Sequence, residues 1–392
     1  MSLFFKSFTS PDRVDKGVLD LDSFSEGTLA VVMARIAQGS HGNIKIVATN
    51  DGDGQKREQL QYTARYWAKD ISTVPALVED LDHASATWTV YPLGRAGVSS
   101  TVAKDDDEDL HDSVTSVLSR VFAYLTDSDT TLFNDGKSAV RVEVTLEVPE
   151  SALAGDTTPR YASRATGANH AIEFSGHGAH LWRAVRLATT NAAIRIPAMR
   201  VVGDLDVHTT NGRVATTGTV TVGGRTTIRT TNGRVSLKGS LHAGGDVSIT
   251  TTNGSITASA LVMAMDRSSR VTLRTTNAAV HVDRIESAAY GGDVDVQSTN
   301  GSIHIGTTVA AAGAAAEEAL LKISAQTSNS RIAVHLANGA GFRWDAHTSN
   351  GSVRVLGKRT KEAMGGSGSG APIFVRLRSS NGSLVIDDDL RV

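Results

Sequence analysis

One asparagine recurs through the second half of this 392-residue chain, and its spacing limits what the chain can become. It stands at Asn191, Asn211, Asn232, Asn253, Asn277, Asn300, Asn329, Asn350 and Asn381, at intervals of 20, 21, 21, 24, 23, 29, 21 and 31 residues. Two hydroxyl residues precede every copy, as in Thr209-Thr210, Thr230-Thr231, Ser298-Thr299 and Ser379-Ser380. The next residue is usually Gly, but it is Ala at 192 and 278 and Ser at 330. A period of this size marks a repeat architecture, in which each unit buries its apolar side only against its neighbours.

The columns around the asparagine say what each unit is made of. Four residues before it stand Leu187, Val207, Ile228, Ile249, Leu273, Val296, Ala325, Ala346 and Leu377; three after it stand Ile194, Val214, Val235, Ile256, Val280, Ile303, Ile332, Val353 and Leu384. Five after it the residue is Val, Ile or Leu except at Thr216 and Ala258. Polar residues such as Asp206, His208, Arg213 and Arg229 fill alternating positions. Period-two patterning on both sides of a turn gives two half-buried strands per unit.

Two architectures fit. Asn-Gly between alternating strands is a hairpin signal, giving an antiparallel meander. Alternatively each unit is one coil of a parallel β-solenoid. A type I′ hairpin turn needs positive φ at both central residues, yet the glycine is replaced in three copies while the asparagine never varies. An unvarying asparagine is what a stacked amide ladder requires, each side chain bonding the next coil and satisfying buried backbone at the corner. Seven before the asparagine, Asp204, Arg225, Asp246, Arg270, Asp293 and Lys322 alternate in sign, and Arg343 and Phe374 follow. Opposite charges on neighbouring strands are favourable, and in a meander these positions would lie two strands apart. The expectation is therefore a mainly β chain, with a parallel β-solenoid of about nine coils in chain order, right-handed and roughly 43 Å long at ~4.8 Å per coil.

Residues 1–150 lack the repeat. Strands are expected at Thr28–Ile36, Asn43–Thr49, Leu60–Trp67, Thr87–Tyr91 and Ala139–Val148, with an amphipathic helix at Ser113–Leu125. This reads as an α+β region capping the first coil, joined through an interrupted coil at 151–184 to a repeat domain at 185–392. Solenoid ends need covering, because they expose core and unpaired strand edges; Asp387-Asp388-Asp389 is the candidate at the other end. Val309–Leu321 reads as a short surface helix, and Thr360–Ala371 as a flexible, protease-sensitive loop.

Composition narrows function by exclusion. There are no cysteines, which removes disulfides, thiolate metal sites and cysteine nucleophiles. A net charge of −2 gives no basic stripe for nucleic acid. No apolar run approaches a membrane span, and no secretory signal is visible at the N-terminus, so a cytoplasmic location is the default expectation.

A strand ending in Val148-Pro149-Glu150, within Arg141–Ser151, followed by serial Thr-Thr-Asn-Gly-x-Ile/Val coils, resembles the putative-adhesin β-solenoid family over roughly residues 139–392. That resemblance implies a surface for binding or assembly and supplies no catalytic residues.

Several local clusters invite functional readings. The asparagine column is assigned structural work. Thr210, Thr231, Thr252, Thr276 and Thr299 form a candidate hydroxyl-lined binding face. Asn50-Asp51-Gly52-Asp53-Gly54 begins like a calcium loop but lacks the closing Glu of an EF-hand. Asp105–Asp109 reads as a solvated acidic run, and His170, His177 and His180 with Glu173 form a loose cluster without a metal-ligand spacing. No catalytic residue, metal or cofactor is expected. The function this favours is a non-enzymatic interaction or scaffold protein, binding a protein or glycan along its side or associating end to end. The alternative is a polysaccharide-active β-helix enzyme, which needs carboxylates converging on one face. Outward acids are instead dispersed: Asp206 is followed one coil on by Thr227, and Asp295 by Ser324.

Overall fold

In a computed structural model of the chain, the described residues are 10–20, 27–33, 41–49, 59–68, 77–82, 87–92, 141–149, 161–167, 169–175, 181–263, 269–287, 292–310, 321–337, 341–361, 363–367 and 373–388. They divide into two compact units, Met1–Ser175 and Gly176–Val392. Every regular element among them is a β-strand.

The second unit is a parallel β-solenoid. Each coil contributes one strand to a front sheet, turns at its asparagine, and contributes a second arm to a back sheet. The front strands run Val185–Thr189, Leu205–Thr209, Thr226–Arg229, Val247–Thr250, Ser269–Thr275, Gly292–Ser298 and Leu321–Thr327, each parallel to the next. The back arms begin as two short strands per coil, Ile194–Ile196 then Met199–Val201 in the first and Val214–Thr216 then Val220–Val222 in the second, each parallel to its counterpart. They then continue as Val235–Ala243, Ile256–Met263, Val280–Ser287, Ile303–Ala310 and Ile332–Leu336. The column four before the asparagine is buried in all nine coils, and the column three after it is buried in every coil but the eighth, where Val353 is half-exposed. Burying a Val, Ile or Leu side chain contributes ~1.5–3 kcal/mol, and the in-register pairing of like with like repeats that contact along the core.

The last two coils depart from chain order. The front strand of the ninth coil, Ile373–Ser379, pairs with Leu321–Thr327 of the seventh on one side and with Phe342–Thr348 of the eighth on the other, all parallel. The back arm Leu384–Asp388 likewise lies between Ile332–Leu336 and Val353–Val355. The ninth coil is thus intercalated, and the eighth is last in space. The expectation that consecutive copies stack in order holds through the seventh coil and fails there.

The eighth coil is finished by two short antiparallel strands. Lys358–Thr360 folds back on Val353–Val355, and Met364–Ser367 on Phe342–Thr348. The first return is a two-residue hairpin turn with positive φ at Leu356 (49°) and Gly357 (74°), the conformation that favours glycine. Gly357 N–H donates to Asp387 Oδ1 at 2.8 Å. The two acids placed at the far end by sequence, Asp387 and Asp388, therefore sit inside the stack, and the short cationic strand containing Lys358 and Arg359 does the covering. Short, charged edge strands are a standard defence against edge pairing. The segment expected as a loop from Thr360 contains the Met364–Ser367 strand for the same reason.

Among the described residues the first unit has nine strands in two sheets. His41–Thr49 pairs in parallel with both Arg141–Pro149 and His170–Ser175, while Gln59–Trp67 lies antiparallel to Arg141–Pro149 and to Arg13–Asp20. Gly27–Met33 pairs in parallel with Tyr161–Gly167 and with Thr87–Pro92, which pairs antiparallel with Leu77–Asp82. All five strands read from the sequence are present, and Arg13–Asp20, Leu77–Asp82, Tyr161–Gly167 and His170–Ser175 are additional. The helix at 113–125, most of the alanine-rich segment 309–321, the 50–54 turn and the 105–109 acidic run lie outside the described residues. Among the described residues no helix is long and apolar enough to cross a membrane.

Candidate binding face

The corner is built by two hydroxyl columns and the asparagine, each with a separate task. The inner hydroxyls, Thr209, Thr230, Thr251, Thr275, Ser298, Thr327 and Ser379, are buried. Thr209, Thr230, Thr251, Ser298 and Ser379 accept from the N–H of the glycine three residues on, at 3.0 Å for Gly212, 2.9 Å for Gly233 and 2.8 Å for Gly382. Several also donate to a carbonyl of the adjacent coil, as Thr275 does to Gly254 at 2.9 Å and Thr348 to Gly382 at 2.9 Å. The asparagines are exposed and bond to one another. Nδ2 of each donates to Oδ1 of its neighbour along 191, 211, 232, 253, 277, 300, 329, 381 and 350, at 2.6–2.9 Å. The expected amide ladder therefore exists, but satisfying the buried corner backbone falls to the hydroxyls. Where the corner holds glycine, closeness rather than φ favours it: a Cβ at Gly233 would sit 1.7 Å from the Gly212 carbonyl oxygen, while Ala192, Ala278 and Ser330 take the same place in three other coils.

The candidate hydroxyl face follows this ladder. Thr231, Thr252, Thr276 and Thr299 are exposed and Thr210 half-exposed, one per coil beside the asparagines. Their carbonyls accept the N–H groups of the next coil, as Thr231 does from Asn253 at 2.8 Å, which leaves the side-chain hydroxyls facing outward in a row.

A more featured surface lies on the outer side of the front sheet. A groove of about 350 Å³ crosses the strands of the fifth, sixth, seventh and ninth coils. Register puts Arg270, Asp293, Lys322 and Phe374 in one row and Thr272, Asp295, Ser324 and Arg376 in the next. Arg270 Nη2 pairs with Asp293 Oδ2 at 3.3 Å, and Arg274 Nη2 with Asp295 Oδ2 at 3.0 Å. Gln297 Nε2 also donates to both Asp295 oxygens, at 3.1 and 3.0 Å. The Arg376 guanidinium lies 5.5 Å from the Phe374 ring centre. At its C-terminal side Asp345 is clamped: Arg378 donates through Nη1 to Oδ1 at 2.8 Å and through Nη2 to Oδ2 at 2.6 Å, and Arg376 Nε donates to Oδ2 at 3.2 Å. These arginines hold the Asp345 carboxyl below the usual carboxylate range.

The alternating charge row is only partly a set of ion pairs. Asp204 and Asp246 accept from the backbone N–H of Arg225 and Arg270, at 2.8 and 3.0 Å. Lys322 and Arg343, of like sign and adjacent in chain order, are separated in space by Phe374.

The back sheet carries a column that the sequence reading missed. His281 and His304 stack with ring centres 4.5 Å apart and 9° between planes, and His335 lies 5.1 Å beyond. His281 Nε2 is 2.6 Å from Asp283 Oδ1. Burial, and then proximity to His281 and His335, push the His304 pKa down. The signal was available: His281 and His304 each stand four residues after a ladder asparagine. By contrast, His170 and Glu173 are three apart on one strand and so point to opposite faces, while His177 and His180 lie outside the described residues. Among the described residues no three His, Asp or Glu side chains converge as metal ligands.

These features define a parallel β-solenoid repeat protein. Residues 183–243, which span the first three coils, match a family described as repeats of unknown function (DUF5649). No curated protein matches the chain. Among solved structures, the chain is similar to a putative cell adhesion protein from Clostridium sporogenes at 8% sequence identity, over 96% of this chain and 99% of that one, with a TM-score of 0.18. A score that low carries no argument about either fold or function. The parallel coils and the repeat match support a β-solenoid repeat architecture.

Proposed function

We propose that this chain is a non-enzymatic interaction protein, adhesin-like in construction, that binds an extended partner along its front sheet. The observation that carries this reading is the groove across four neighbouring front strands, whose side chains are set in register by a hydrogen-bonded core. Sites on rigid elements hold their geometry without an ordering cost at binding. The finished edge of the eighth coil favours lateral binding over end-to-end stacking at that end.

A polysaccharide-active enzyme is the second reading. Asp293 and Asp295 both point outward two residues apart on one strand, ~6.6 Å along it, within the ~5–9.5 Å range of paired glycosidase carboxylates. Each, however, is paired with an arginine of the preceding coil, so neither carboxylate stands free toward a scissile bond. A glycan-array screen of the full chain, run alongside reducing-end and unsaturated-product assays on pectin-type polymers, separates the two. Binding without turnover is the expected result. Released reducing ends or unsaturated products would replace this reading with the enzymatic one.

A further inference from the structure

Resting on the lateral-face reading above, we infer that the groove is a subsite for an acidic polysaccharide carrying carboxylates, a uronate-type chain. Four cations, Arg270, Arg274, Lys322 and Arg376, line it against two carboxylates, and Arg376 is itself paired with Asp345 beside the groove. Both carboxylates are already engaged by Arg270 and Arg274. Lys322 is exposed and has no ion-pair partner among the described residues, so its charge is available to a ligand. Directly in register with it is Phe374, half-buried and with Arg376 against its ring. Thr272 and Ser324 place hydroxyls between these groups. A cation for a carboxylate, an apolar ring for the C–H face of a pyranose, and hydroxyls for sugar hydroxyls are the three kinds of contact an acidic sugar needs.

The same geometry argues against other anionic polymers. All four strands are paired on both sides, so no free backbone edge remains for an acidic peptide to add a strand. A single ring cannot stack the successive bases of a nucleic acid.

The test is biolayer interferometry on the full chain with polygalacturonate, a neutral galactan of matched length and dextran sulfate, each at low and high salt. Polygalacturonate should bind, weaken with salt, and lose about tenfold or more in affinity with Lys322→Glu. Phe374→Ala should weaken binding at every salt concentration. Lys238→Glu, an exposed cation of the back sheet, should leave it unchanged, and thermal melts of each variant establish folding. Absence of polygalacturonate binding overturns the inference, as does preference for the sulfated polymer. Galactan binding that survives Lys322→Glu but falls with Phe374→Ala overturns the acidic assignment and leaves the lateral-face reading standing. Binding indifferent to both groove substitutions overturns the two together.

Discussion

The solenoid contains two regimes. From the first coil to the seventh, order in space follows order in the chain, and each coil needs only its predecessor. In the final stretch, residues 342–388, the coil made last lies between two made earlier. Both regimes use the same corner, the same ladder and the same parallel register. The repeat therefore specifies how one coil sits on another and leaves open which coil that is. Order is decided by features outside the repeat. Lys322 and Arg343 would meet if the eighth coil lay on the seventh, and Phe374 parts them. The eighth coil also carries the only core aromatics after Trp182 among the described residues of this unit, Phe342 and Trp344, both nearly buried. Its outer strand places Gly365 over the Trp344 ring, where a Cβ would approach to 2.8 Å. Large rings and a hairpin suit an end coil, and small branched aliphatics suit an interior one.

Removing the ninth coil should have the largest effect on this contrast. Ending the chain after Ser367, which keeps the strand that finishes the eighth coil, withdraws Ile373, Val375, Leu377, Leu384 and Ile386, each at 0% exposure and each contributing ~1.5–3 kcal/mol when buried. If the intercalated coil is what fixes the eighth, hydrogen-exchange mass spectrometry will show Phe342–Thr348 losing protection while the coils of residues 205–263 keep theirs. Retained protection there would mean that the eighth coil collapses onto the seventh despite the facing cations. The intercalation would then be a convenience of the chain and not a requirement of the fold.

How much of this could be read in advance follows from the same contrast. The asparagine period and the two apolar columns fixed the strand positions, the parallel register and the ladder, because each is a nearest-neighbour property repeated along the chain. Intercalation is a single long-range event, and period alone cannot see it. Two clues were present: the like-signed neighbours Lys322 and Arg343, and Trp344 in a column otherwise filled by Val, Leu, Ile and one Thr. The task of the asparagine at the corner was misjudged because its hydroxyl neighbours reach the buried amides first; Thr209, Thr230 and Thr251, two residues before it, are buried where the asparagine is exposed. The groove escaped notice since its rows combine residues from coils whose spatial order was not known, Phe374 and Arg376 above all.

A smaller effect should come from the Asp345 clamp, which ties the ninth coil to the eighth through Arg378 and Arg376. The carboxyl is only 13% exposed and its pKa is depressed in the fold. A depressed carboxylate contributes stability above its unfolded pKa of ~3.9 and loses it as pH falls through that value toward the folded one. Exchange protection of Ile373–Ser379 should therefore hold steady from pH 7 to about 5 and decline below about 4. Asp345→Asn should lower it by ~1–3 kcal/mol at pH 7 and flatten the acid dependence. The same acid decline in wild type and variant would remove the clamp from the account.

The smallest effect compares positions in the ladder itself. Asn232 donates to Asn211 and accepts from Asn253, so it holds two amide bonds. Asn350, last in space, makes one, to Asn381. Exposed hydrogen bonds contribute ~0.5–1.5 kcal/mol each, and these lie in solvent, toward the lower end. Asn232→Ala should cost ~1–2 kcal/mol in urea unfolding and Asn350→Ala about half of that. Asn381→Ala is the informative third case. In chain order it is terminal and should behave like Asn350, whereas in the observed order it is interior, bonded to Asn329 and Asn350, and should match Asn232. Agreement with Asn350 instead would place the ninth coil at the end of the stack and undo the two-regime reading.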